Sequence, residues 1–270
     1  MRGLVAKTVR EVWLGSLCFG LALFGVEVLL AYLPPSFYKD YAQQWMQMPY
    51  FRNALSAILS AELGESIGPM AIASLAWAHP IVLALVWTHA ILFCTRVPAG
   101  EVDHGTIDVL LSLPVSRTRL YACETVVWFG TGLGQIALGL MGNLLGGWCA
   151  GPNLHGTIGQ VLVVGTNLFA LYWAVGGMAW AASAWSDRRG RAVGGVFAVL
   201  ISSFLLAYLA PFSEVVKKMS FLSILHYYRP VRVLQDGTWP LSGLMVLAGV
   251  GLTCWLTGWL IFTRRDICTV

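Results

Sequence analysis

Residues 66–95, 125–186, 192–213 and 237–263 contain no charged side chain. A spanning helix needs about 20 mostly apolar residues, and each of these runs meets or exceeds that length. The run 125–186 is long enough for two spans, with a turn near Gly146, Gly147, Gly151 and Pro152. A further run, 12–33, carries a single acid, Glu27. Inside lipid every backbone polar group must be satisfied within the protein, and helices do this segment by segment. The pattern predicts an all-α polytopic membrane protein with six helices, at about 12–33, 70–94, 122–147, 158–185, 192–212 and 240–263. One transmembrane domain then takes up the whole of 1–270. Charged residues make up only 11% of the chain, against about 25% in soluble domains, so little remains for a water-soluble unit.

The N-terminal run is too long for the apolar part of a signal peptide. It ends at Pro34 and Pro35 without a small-residue cleavage pattern, so it is expected to stay as the first span. Its approach is amphipathic: Leu4, Val5, Val9, Val12 and Trp13 share one half of the helical wheel, with Lys7, Arg10 and Glu11 on the other. This suits either a helix lying in the interface or an ordinary charged span start.

Basic residues set the expected orientation, because loops on the cytoplasmic side carry the excess of Lys and Arg. With the N-terminus inside, Arg2, Lys7, Arg10, Arg96, Arg117, Arg119, Arg188, Arg189, Arg191, Arg264 and Arg265 all fall inside. Lys39, Arg52, Lys217, Lys218, Arg229 and Arg232 fall outside. Both termini are therefore expected in the cytoplasm of a multi-pass cell-membrane protein. The loop 212–240 is discordant, with four basic residues on the outer side. It mixes them with Phe221, Leu222, Ile224, Leu225, Tyr227 and Tyr228, which predicts an outer re-entrant or interfacial segment. In the first outer segment, 34–69, several aromatic residues suit the interface. There Met46 and Met48 read as packing rather than as a metal pair.

Two catalytic signatures are missing: the sequence has no HExxH and no phosphate loop of the GxxxxGK[ST] kind, and no Gly-Lys pair at all. No basic stripe with interleaved aromatics faces water, so nucleic acid is not an expected partner. The six cysteines are dispersed without a CxxC and are read as inert. Glu27, His79, Asn143 and Asn167 are polar groups within the predicted spans and are candidate pathway residues, because such groups usually face a bundle interior or a wet cavity. Glu27 could instead snorkel to the outer interface. His79, before Pro80, could serve a kinked helix. Gly130/Gly134 and Gly142/Gly146 form small-xxx-small pairs that let helices approach closely.

One island, 101–117, is polar and patterned. Gly105 breaks the chain, Thr106 is placed to cap a helix, and Asp108 sits in its first turn. Ile107, Leu110, Leu111 and Pro114 then follow on one apolar face. Pro114 ends the helix and Ser116 can cap the next. A short amphipathic helix over 106–113, held in water between two spans, calls for a partner surface.

The residues Glu101, Gly105, Thr106, Asp108, Leu110, Leu111, Pro114, Ser116 and Arg117 resemble the signature of type-2 ABC exporter permeases. SDRRGRA at 186–192, HYYRPVRVLQDG at 226–237 and FTRRDI at 262–267 resemble the same family in the same order. His104 departs from the pattern, standing where a longer polar or charged residue is expected. The resemblance implies six spans, pairing of two permeases as a homodimer or heterodimer, and an outer re-entrant segment before the sixth span. It also implies that the helix between the second and third spans, the coupling helix, docks a separate ABC ATPase. On that reading Glu101, Gly105, Thr106, Asp108, Leu110, Leu111, Pro114 and Arg117 serve ATPase docking. The chain itself needs no cofactor, because ATP and Mg are bound by the partner. Members export lipids, glycans, drugs, peptides or ions. The alternative reading is a polytopic non-transport protein, an intramembrane enzyme or an assembly scaffold.

Overall fold

A computed structural model describes residues 2–45, 48, 74–112, 114–151, 156–236 and 238–266, with side chains left out at 34–45, 235 and 236. The chain is an all-α, multi-pass membrane protein. Among the described residues five helices are long and apolar enough to cross a membrane. The number rises to six if the bent pair Pro80–Cys94 and Arg96–Asp103 counts as one span.

Helix α1, Arg2–Trp45, runs unbroken from the charged N-terminal segment into the first apolar run. The amphipathic start is thus the first turns of the span itself. The sequence reading ended this helix at Pro34, but it continues to Trp45. Proline removes one backbone donor, a loss that membrane helices tolerate when neighbours re-satisfy the freed carbonyl. The expected outer segment beyond Trp45 lies outside the described residues, apart from Met48, as do residues 70–73 of the expected second span.

The second crossing is broken. Helix α2, Leu75–Ala78, ends at His79, whose φ of −65° and ψ of 132° are extended. Helix α3, Pro80–Cys94, starts with its proline at the first position, where a missing N–H costs nothing. A π-helical turn, Arg96–Gly100, and α4, Glu101–Asp103, follow at 62° to α3. Helix α5, Ile107–Leu111, completes the connection.

Helix α6, Arg117–Ala150, opens on Ser116, whose hydroxyl accepts from the Arg119 amide at 3.3 Å as the sequence suggests. Helix α7, Ile158–Trp185, opens on a reciprocal cap between Thr157 and Gln160. It is the most buried of the spans and forms the centre of the bundle. Helix α8, Arg189–Leu209, returns the chain to the opposite end. Helix α11, Leu241–Arg264, is the last crossing.

Two helix pairs hold the bundle together by close backbone approach. A Cβ on Gly142 would lie 2.4 Å from the Phe24 carbonyl oxygen, and one on Gly146 2.3 Å from that of Val28, so α1 packs directly on α6. Gly130 and Gly134 differ from that pair: a Cβ there would meet nothing within 4 Å among the described residues. The α7 and α11 backbones meet in the same way at Gly177 and Gly251.

Between α8 and α11 the chain advances by short pieces: α9, Glu214–Met219, three 3-10 turns, and α10, Pro230–Asp236. They pack onto the bundle instead of forming a free loop. Ser223 donates to the Ser203 carbonyl at 2.8 Å, Tyr228 donates to that of Trp77 at 3.0 Å, and Gln160 donates to that of Leu234 at 3.0 Å. Leu225, Val231, Val233 and Leu234 are buried beneath.

Candidate functional site

The island after α3 is built by Gly105 and a set of local hydrogen bonds. Gly105 has φ +67°, a left-handed value that strains any residue with a Cβ, and so turns the chain from α4 into α5. Thr106 precedes α5 but does not cap it through its side chain. Its φ of −98° and ψ of −2° are helical rather than extended, which aims the hydroxyl away from the following amides. The hydroxyl donates instead to the Glu101 carboxylate. Helix α5 is also shorter than expected, ending at Leu111, with Leu113 outside the described residues.

Burial revises the expected docking face. Ile107 is fully buried and Leu110 is 9% exposed, both within the chain's own core, and Leu111 packs partly against it. A stripe spaced for one face has found its partner inside the molecule, which removes Leu110 from any surface and limits Leu111. The face left to solvent carries Asp108, Ser112 and Val109, the last 70% exposed. Pro114 and Glu101 remain accessible beside it. Arg117 does not reach outward: it donates to the Phe262 carbonyl at 3.1 Å and the Arg265 carbonyl at 2.6 Å. It thereby closes the C-terminal end of α11, a position that favours a cation.

The other two sequence pieces expected on the inner side meet this island. Arg265 donates to the Ala184 carbonyl at 2.9 Å and pairs with Asp187. Arg189 donates to the Leu92 carbonyl at 2.8 Å and lies against Gly100. The N-terminal segment arrives at the same end. Arg96 pairs with both Glu11 of α1 and Glu124 of α6, Lys7 pairs with Glu11 at 3.2 Å, and Thr8 donates to Glu124 at 2.8 Å. Glu124 is 4% exposed, so this pairing is what makes its burial tolerable. Lys7, Glu11, Arg96, Glu101, His104 and Arg189 line an open cleft of about 500 Å³ there. Sequence reasoning missed the Glu11, Arg96 and Glu124 network because its members are far apart in the chain. The available signal was that each charge stands at a span end, on the same expected side.

Among the in-span candidates, Glu27 does not snorkel. It is fully buried and accepts from the Asn143 amide at 2.9 Å, while its second oxygen has no partner among the described residues. The approach of α1 to α6 around Gly142 sets these two side chains together. Asn167 is fully buried, and neither end of its amide has a partner there. His79 serves the break in the second crossing, accepting from the Ile81 amide at 3.2 Å. Of the four expected pathway residues, Glu27 and Asn143 are brought together directly. A buried group not singled out from sequence is His89. One ring nitrogen lies 3.0 Å from Ser16 Oγ and the other 3.1 Å from the Tyr172 hydroxyl, so it ties α1, α3 and α7 together.

No family model matches the chain, and no curated protein matches it.

Proposed function

We propose that this chain is the permease subunit of an ATP-driven exporter of the type-2 ABC class, moving a substrate with ATP hydrolysed by a separate subunit. The observation that carries the reading is the convergence at one end of the bundle. Three sequence pieces that resemble the family, 101–117, 186–192 and 262–267, are hydrogen-bonded around the ends of α3, α6, α7 and α11. The fourth, 226–237, packs at the opposite end. On this reading the end holding Arg96 and Arg265 is cytoplasmic, both termini are inside, and two permeases pair with two ATPases that hold ATP and Mg. The pieces between α8 and α11 then form the outer re-entrant segment.

The ATPase meets Asp108 and Val109 on the exposed side of α5, with Glu101 of α4 beside them. The buried side, Ile107 and Leu110, is the lever: a push on α5 passes directly into the core. Coupling of this kind requires a contact that differs between two states of the partner.

Co-purification with a partner ATPase tests the assignment. Val109→Glu places a charge in the contact without touching the core, and should abolish ATPase recovery and transport at unchanged membrane level. Leu110→Glu should lower the membrane level itself. Equal ATPase recovery with Val109→Glu and wild type would overturn the docking assignment.

A further inference from the structure

Two of the cationic residues that run against the expected charge bias, Arg229 and Arg232, meet in one cleft. Arg229 and Arg232, with His226, Tyr227, Thr238 and Ser242, line a recess of about 300 Å³ between α10 and the first turn of α11. It lies at the end of the bundle opposite the α5 helix.

The recess holds its arginines in place. Arg229 donates through Nε to the His226 carbonyl at 2.8 Å, and its Nη2 lies 2.7 Å from His226 Nε2. Since arginine has only donors, His226 accepts here and is neutral in this arrangement. Burial, and then the charges of Arg229 and Arg232, hold its imidazole below the usual range. Burial and then the charge of Arg232 likewise lower Arg229 from its ordinary value. Arginine keeps its charge regardless, so the recess presents two like charges with Thr238 and Ser242 in its lining. Trp239, 54% exposed next to it, suits the headgroup level of a bilayer.

We propose that this recess binds the phosphate group of an anionic ligand, either a lipid headgroup or a free phosphate compound. A planar guanidinium fork suits phosphate oxygens. The recess is large enough for a headgroup and too small for a lipid tail. This inference does not rest on the exporter reading, and its test involves neither ATPase nor transport.

The experiment uses the full chain in nanodiscs of mixed phosphatidylglycerol and phosphatidylcholine, with retained lipid counted by native mass spectrometry. Wild type should retain phosphatidylglycerol preferentially, and Arg232→Gln should lower that preference about fivefold, the worth of one cation near an anionic surface. Arg229→Gln/Arg232→Gln should remove it. Arg232 is exposed, so its single substitution should leave the melting temperature unchanged and serves as the arm free of folding effects. Lys217→Gln/Lys218→Gln, outside the recess, should keep the preference. A second arm titrates inorganic phosphate into phosphatidylcholine discs. A rise in melting temperature that Arg232→Gln abolishes identifies a free phosphate ligand, whereas preference without that rise identifies the lipid. Either result supports the phosphate site. No lipid preference and no phosphate effect in wild type would overturn it, as would an equal preference in Arg232→Gln.

Discussion

At the residue scale the decisive features are polar groups that burial has made costly. Arg96 is the clearest, since one guanidinium serves carboxylates on two different helices. Glu27 and Asn143 are a second case, hydrogen-bonded to each other in the buried interior. The amide needs an acceptor more than it needs a charge. Glu27→Gln should therefore change the melting temperature in detergent little, because Gln keeps an oxygen for the Asn143 amide. Glu27→Ala should cost about 1–3 kcal/mol by leaving that amide unsatisfied. If Glu27→Gln proves as destabilising as Glu27→Ala, the carboxyl itself is required and the pair is more than a structural hydrogen bond.

At the element scale, the glycines of α6 divide into two sets with different neighbours. Gly142 and Gly146 lie against the α1 backbone, whereas Gly130 and Gly134 meet nothing within 4 Å among the described residues. Sequence spacing made the two pairs look equivalent, because a small-xxx-small repeat records that a close approach is possible without saying which helix makes it. Gly142→Val would push against a main-chain carbonyl that cannot rotate away, and should destabilise by about 1–3 kcal/mol as overpacking does. Gly130→Val should leave the melting temperature within about 0.5 kcal/mol of wild type, in the range of ordinary surface changes. Thermal melting of the two variants in one detergent separates them, and equal losses would show that α1 does not pack on α6 as described. The same limit applies to α5. Its apolar stripe was legible, but the stripe could not say that its partner is the chain's own core.

At the scale of the whole molecule, the ends of the bundle sort the charges. The N-terminal segment, the α3–α6 connection, the start of α8 and the end of α11 share one end through direct hydrogen bonds and ion pairs. The α8–α11 connection lies at the other. Ser112→Cys and Ser213→Cys, each on a cysteine-free background, should therefore label from opposite faces of the membrane. On the exporter reading Ser112→Cys labels from the cytoplasm. Labelling of both from one face would break the topology.

What the sequence determined by itself was the class and most of the layout: an all-helical membrane chain, its apolar runs, and the grouping of its basic residues. These follow from one-dimensional quantities, the length of apolar runs and the side of each charge, which lipid and water read directly. The capping by Ser116 and the break at His79–Pro80 were also legible, because they depend on neighbours a few residues away. Tertiary structure alone decided which face of α5 is free, which glycines meet a backbone, and that Glu27 is enclosed beside Asn143. It also brought Glu11, Arg96 and Glu124 into one network. Each of these depends on which helices are neighbours and how each is rotated about its axis. In an apolar solvent every apolar face is an acceptable outside, so the hydrophobic pattern that orients a helix in water carries little of that information here.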